Sequence, residues 1–361
     1  MRILHIIGTL KIGGAEKLLV DSLPIYKKRN LEVELLLLDG IRTPYCETLE
    51  KEGVKIHYLH KYKLWGIYNP LFIWQIIPFL KNYDICHVHL FPALYWVAFA
   101  KLFSVSRVRL VFTEHSTGNS RMKYGIWRVI ERFVYRRYDK IVSISEGVEQ
   151  AIKNHLSFSD NEKFQVINNG VVLSAFSKGA IMQFPAQTGN KQLIQVSRFG
   201  SQKDQITVIN AMVFLPEDVF LTFVGVGGNM MRCRLLVKEL GLSERVSFLG
   251  ARIDIPDLLK QADIVLQSSH WEGFGLAAIE GMAAAKPVIA SDVPGLRDVV
   301  QGAGLLFRKG DAADLADKIS SLLADRELYE NVVEACRKRA LNYDINKMAD
   351  DYMELYTKIT Q

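Results

Sequence analysis

The sequence predicts an α/β protein of two Rossmann-like, doubly wound domains facing a central cleft. Three observations lead there. The chain has 361 residues, long for one core and comfortable for two. Short β-branched apolar runs alternate with amphipathic stretches along it, as buried parallel strands alternate with crossover helices. The alternation pauses once, at "LSAFSKGAIMQFPAQTGN" (173–190), which lacks periodicity and ends in turn-forming residues.

In chain order the first half offers six strand-like runs: "RILHII", "VELLLL", "KIHYL", "DICHVHL", "VRLVFT" and "KIVSIS". The second half offers six more: "QLIQVS", "VFLTFVG", "VSFLG", "DIVLQS", "KPVIAS" and "GLLF". We place an N-terminal domain over 1–172, a linker over 173–190 and a C-terminal domain over 191–342. The helix 343–361 has no strand after it, and it either caps the second domain or crosses back to the first. In open parallel sheets ligands gather at the C-terminal strand ends, near helix N-termini, so those loops matter most.

Composition narrows the class. Hydrophobic residues make up 49% and charged ones 23%, a globular balance. Cys46, Cys86, Cys233 and Cys336 form no C-x-x-C pair, which argues against a zinc site or disulfide framework and fits a reducing cytosol. "MRILHIIGTLKIGGAEK" reads as a first strand and not a signal peptide. The longest charge-free run, Leu64 to Leu80, is too short to span a bilayer and is broken by Pro70 and Pro78. Residues 1–170 carry a net charge of +8 against −2 for the remainder. That half is either ordinary basic surface or meets nucleic acid, phospholipid or a phosphorylated substrate.

Several strand-end loops carry chemistry. Gly13 and Gly14 follow the first strand and open a helix, where backbone amides can approach a phosphate or simply form a tight turn. The pattern is not G-x-G-x-x-G, so the nicotinamide fingerprint is absent. In "VSRFGSQKDQ", Arg198 and Lys203 project from the loop after the second domain's first strand. They are either two solvated charges or a clamp for a diphosphate. "FVGVGG" (223–228) is another glycine turn. His87 and His89 share one face of their strand; with no third ligand close in sequence, packing or hydrogen bonding is favoured over metal. No D-x-D occurs, so no metal is expected.

Glu272 and Glu280 interrupt the otherwise small and apolar "SSHWEGFGLAAIEGMAAAKPVIASD". On one continuous helix they would stand about 12 Å apart, wider than the roughly 5–9.5 Å of glycosidase carboxyl pairs. A loop position for Glu272 and a helical one for Glu280 puts helix N-terminal amides between them. An elongated ligand with an anionic centre and hydroxyl-rich ends, such as a nucleotide sugar, fits that order. The bland alternative is two charges favoured by the helix dipole, but a charge on so apolar a helix needs a partner.

"EGFGLAAIEGMAAAKPVIASDVPGLRDVV" resembles the E-x7-E signature of retaining glycosyltransferases of family 4 (group 1), which have the GT-B fold. "GTLKIGGAEK", "HVHLF", "FTEHST", "SISEGV", "VINNGV", "VSRFGSQKD" and "FVGVGG" follow the order expected of that family, so the resemblance covers essentially the whole chain. It implies that Glu280 holds the ribose and Glu272 the transferred sugar. Arg198 and Lys203 would bind the diphosphate with amides at Gly14 and at Phe274, Gly275, Leu276 and Ala277. The base would lie near Gly250–Arg252, with Gly250 and Arg252 beside it, and His115 matches the histidine near the sugar. Departures are Val172, Asp204, Ala277 and Asp298, none of which removes a charged donor contact.

The expected activity is metal-independent, retaining transfer of a hexose or N-acetylhexosamine. The donor is a nucleoside diphosphate sugar, with UDP favoured and GDP as the alternative. The acceptor is a saccharide or a lipid-linked one, in surface polysaccharide or lipopolysaccharide synthesis. The rivals are a sugar-nucleotide epimerase and a non-catalytic nucleotide-sugar-binding subunit. Nucleic acid is not an expected partner. "RMKYGIWRVIERFVYRRYDK" (121–140) holds seven basic residues, Arg121, Lys123, Arg128, Arg132, Arg136, Arg137 and Lys140. Arg128, Arg132 and Arg136 share one helical face, while Ile126, Trp127, Ile130, Phe133 and Val134 lie at core-type spacing. With aromatics in "YKLWGIYNPLFIW" and "LYWVAFAKLF", this face suits an anionic membrane surface on the cytoplasmic side.

Overall fold

The computed structural model describes residues 1–59, 65–118, 125–158, 162–180, 182–185 and 189–361. The chain divides into two compact units, Met1–Gly170 with Ile345–Gln361, and Val171–Asp344. Arg121, Lys123 and the aromatic stretch at 62–64 lie outside the described residues. Of the segment 173–190, Leu173–Ser177 is a helix within the second unit.

The first unit carries seven strands: β1 (Arg2–Ile7), β2 (Glu32–Leu37), β3 (Lys55–Tyr58), β4 (Ile85–His89), β5 (Arg109–Glu114), β6 (Lys140–Ser143) and β7 (Phe164–Val166). All pair in parallel, in the order β3-β2-β1-β4-β5-β6-β7. β1 and β4 are wholly buried apart from Arg2, which explains their near-continuous apolar reading. The helix Ile345–Thr360 belongs to this unit and buries Tyr352 and Tyr356 in it.

The second unit carries β8 (Lys191–Val196), β9 (Val219–Val224), β10 (Val246–Phe248), β11 (Ile264–Gln267), β12 (Val288–Ser291) and β13 (Leu305–Phe307). They too are parallel, ordered β10-β9-β8-β11-β12-β13. Strand order therefore reverses between β1 and β4 in one sheet and between β8 and β11 in the other. Loops leaving those strand pairs diverge, and the crevice between them is where ligands bind in such sheets.

One helix departs from expectation. In Gly125–Arg136 the buried residues are Glu131, Val134 and Tyr135, with Trp127 and Ile130 half-buried beside them. This i, i+3, i+4, i+7, i+8 stripe is the packed face. Ile126 and Phe133, expected in the core, are exposed together with Val129. They lie one step around the helix, so Arg136 and Arg137 border them on either side. Arg137 lies over the Phe133 ring at 4.6 Å, and Arg136 over Phe158 at 5.7 Å. No helix among the described residues is long and apolar enough to cross a membrane.

Candidate functional site

The switch point of the second unit gathers its charged residues. β8 ends at Val196, and the loop that follows is pinned from below. Gln195 donates to the Ser197 hydroxyl at 3.1 Å, while Gln205 donates to that hydroxyl and to the Arg198 carbonyl, each at 3.0 Å. The loop also lies directly on the glycine turn after β9. A Cβ at Gly225 would overlap the Ser197 carbonyl and one at Gly227 that of Phe199, and both glycines have positive φ. The glycines of "FVGVGG" thus allow two backbones to touch. Arg198 is left exposed.

Lys203 turns the other way. Its Nζ pairs with the Glu272 carboxylate, both side chains largely buried, and its backbone bridges to Ser269. Gln202 and the Ser269 hydroxyl also donate to Glu272, each at 3.4 Å. The loop after β8 and the loop after β11 are therefore joined through Glu272. Asp204, one of the departures from the family pattern, caps the helix Gln205–Ala211, accepting from the Thr207 amide at 3.2 Å and hydroxyl at 2.6 Å.

Glu272 does precede the helix and Glu280 does lie within it. The helix runs Leu276–Ala283 and starts from Gly275, whose φ of 101° is left-handed. A Cβ there would press on Leu296 at 2.7 Å, a second reason for glycine. The Leu276 and Ala277 amides open the helix and have no intrahelical acceptor. No acidic residue occupies its first turn. Phe274 is buried edge-on against Tyr343, ring centroids 5.4 Å apart. Gly250 accepts from the Gly225 amide at 2.7 Å. The guanidinium of Arg252 is held by Asp254.

In the first unit Gly13 precedes the helix Gly14–Lys28 in extended backbone, and the Glu16 carboxylate lies over it. His115 follows β5. Its Nε2 meets His89 Nδ1 at 3.4 Å, and His89 Nε2 meets His5 Nδ1 at 3.2 Å. These rings share a sheet face because His5 and His87 are register partners on β1 and β4, and His89 is two residues on. His87 is engaged at both nitrogens, by Tyr356 at 2.6 Å and Thr113 at 2.7 Å. Nitrogens of His5, His87 and His89 lie within 4.8 Å of one another, the single such grouping found among the described residues. A cation there would have to displace one of the hydroxyls on His87. Burial lowers the pKa of His5 to about 3 and of His115 to about 4, and holds His87 and His89 well below the usual range.

The sequence matches the family "Glycosyltransferase Family 4" over residues 12–175 and "Glycosyl transferases group 1" over 180–339. The chain belongs to the group 1 glycosyltransferases. N-acetyl-alpha-D-glucosaminyl L-malate synthase of Bacillus anthracis is 28% identical over 296 residues, 76% of this chain and 75% of that one. A Campylobacter jejuni relative is 25% identical over 369 residues, 96% of this chain and 97% of its own. It is the N-acetylgalactosamine-N,N'-diacetylbacillosaminyl-diphospho-undecaprenol 4-alpha-N-acetylgalactosaminyltransferase. The fold is shared with Anabaena HepE, solved in complex with UDP and glucose, at a TM-score of 0.85 and 23% identity over 99% of both chains.

In this glycosyltransferase the motif residues Arg198, Lys203 and Glu272 come to one switch point, with Glu280 on the helix that leaves it, whereas Gly13, Gly14 and His115 belong to the other unit. Sequence reasoning missed Gln202 and Ser269, which hold Glu272, and Gln205, which holds the Arg198 loop. Their one advance signal was position, since each sits in a strand-end loop or just after it. His5 was missed as well, although "RILHII" places a polar ring inside a buried strand.

Proposed function

We propose that the protein is a metal-independent retaining glycosyltransferase that moves a hexose or N-acetylhexosamine from a UDP-sugar to a saccharide or lipid-linked acceptor. The observation that carries this reading is the Lys203–Glu272 pair at the switch point, beside a helix N-terminus and an exposed Arg198. An arriving diphosphate offers Lys203 a stronger anion than the carboxylate. Lys203 shifts to it, Arg198 grips it bidentately, and the Leu276 and Ala277 amides complete the cradle. Glu272, released from Lys203, then accepts from hydroxyls of the transferred sugar. Glu280 holds the ribose, Gly250 and Arg252 flank the base, and His115 contacts the sugar.

The bond from the anomeric carbon to the phosphate oxygen breaks as positive charge grows on the sugar. Arg198, Lys203 and the amides stabilise the departing diphosphate. No side chain is assigned as nucleophile. The acceptor hydroxyl attacks on the face the phosphate leaves, passes its proton to the leaving phosphate oxygen, and configuration is retained.

The Campylobacter relative acts on a diphospho-undecaprenol-linked acceptor, and by that likeness we assign this enzyme to surface polysaccharide assembly at the inner face of the cytoplasmic membrane. The exposed strip Ile126, Val129 and Phe133 bordered by arginines supports membrane contact through the first unit. The test is a screen of radiolabelled UDP- and GDP-sugars, with and without undecaprenyl-diphosphate-linked saccharides, in the presence of EDTA. Acceptor-dependent transfer of label is expected. Conversion of the donor sugar without acceptor would indicate an epimerase, and donor binding without turnover a non-catalytic subunit.

A further inference from the structure

We propose that the chain His5–His89–His115, buried at its first two rings, fixes His115 as its Nδ1–H tautomer, so that the enzyme offers its sugar a neutral hydrogen-bond donor. That His115 meets the sugar rests on the function proposed above; the tautomer assignment does not.

The argument is one of donors and acceptors. Each neutral imidazole carries one N–H and one lone pair. Two contacts link the three rings, His115 Nε2 to His89 Nδ1 and His89 Nε2 to His5 Nδ1. Each contact needs one donor, so the chain has only two consistent registers. In one, every Nε2 is protonated, and His5 buries an N–H that has no partner. In the other, every Nδ1 is protonated, and His5 Nε2 is a bare lone pair. His5 Nε2 is buried without a hydrogen-bond partner among the described residues. Orphaned buried donors are rarer than under-satisfied acceptors, so the second register is favoured. It makes His5 donate to His89 and His89 donate to His115, which leaves Nδ1–H as the remaining polar group of His115.

The surroundings keep the chain neutral. His5 stacks on Tyr26 with ring centroids 5.9 Å apart, and His87 packs on His89 at 4.2 Å. Protonating His89 or His115 would break the register, because the ring would donate from both nitrogens, and protonating His5 would bury an unpartnered N–H. Burial, with the neighbouring histidines acting on His89, opposes that protonation. His89 and His5 are thus positioning residues acting through His115.

The full-length chain labelled with 15N-histidine tests this by two-bond 1H–15N correlation, assigned with single-histidine variants. The proposal expects His5, His89 and His115 each to show a protonated Nδ1 and an unprotonated Nε2, unchanged from about pH 6 to 8. An Nε2–H His115, tautomer averaging, or titration in that window overturns it. His89→Phe removes the donor to His115: the His115 signals should average, and kcat should fall about tenfold with the donor KM little changed. His89→Asn, whose amide N–H lies near the Nδ1 position, should recover both. A His115 signal unmoved in the Phe variant contradicts the chain. If the spectra hold but His115→Ala transfers sugar at the wild-type rate, the tautomer stands and the sugar contact falls. If His115 is Nε2–H in an enzyme that transfers sugar, the chain falls and the proposed function stands.

Discussion

At Glu272 one carboxylate accepts from three side chains, Lys203, Gln202 and Ser269, so replacing it disturbs more than a sugar contact. Losing a charge-assisted hydrogen bond removes about 1.5–3 kcal/mol, tenfold or more in the affected constant. Glu272→Ala should therefore lower kcat mainly, and Lys203→Ala should lower kcat and raise the donor KM. Because the two groups are paired, the double variant should lose less than the singles summed, with a coupling of about 0.5–3 kcal/mol. Additive effects in a double-mutant cycle would dissolve the pairing argument. Glu280→Ala should instead weaken UDP binding by calorimetry while leaving Lys203–Glu272 coupling intact. Both glutamates and both cations stood out in the sequence because charge in an apolar or glycine-rich strand-end segment demands a reason. Gln202, Ser269 and Gln205 did not, because neutral polar residues are ordinary in loops and only proximity gives them work.

Strands β1 and β4 and the end of β5 bring four histidines together, and their pKa values set a stability window. The unfolded chain protonates histidine below its usual 6.5; the native state resists, with His5 lowered to about 3 and His115 to about 4. Stability from this cluster is thus present above 6.5 and lost as pH falls from there toward 4. Each histidine held neutral adds up to about 1.4 kcal/mol per pH unit across that range. Protection of the β4 amides against hydrogen exchange, taken relative to the intrinsic rate at each pH, should fall between pH 6.5 and 5, and less so in His5→Phe. A flat profile would contradict the buried neutral cluster. The helix Gly125–Arg136 yields a second expectation. Replacing Arg128, Arg132 and Arg136 with Ser should reduce low-salt co-sedimentation with anionic vesicles and leave UDP binding unchanged. Equal binding to neutral vesicles, or no effect of the triple replacement, would reject the membrane face. The sequence located this helix, but its apolar spacing fits two adjacent faces, and only packing decides that Trp127, Ile130 and Val134 turn inward while Ile126 and Phe133 stay out.

Across the whole molecule, periodicity was enough to place two parallel-sheet domains, because strands buried on both faces are apolar throughout. β7 escaped it: Phe164–Val166 follows Glu162 and Lys163 and carries Gln165 at its centre, so no apolar run marks it. The C-terminal helix was readable, its destination was not, since "YDINKMADDYMELYTKITQ" is amphipathic against any sheet. The side chains that settle it are Tyr352 and Tyr356, whose hydroxyls meet Thr113 and His87. The central claim concerns the reaction itself: a sugar leaves a diphosphate and its acceptor attacks from the same face. It is tested most directly by the anomeric configuration of the product, read from its 1H NMR coupling constants after transfer from an α-linked UDP-sugar. An α-linked product agrees with the account; a β-linked product contradicts it.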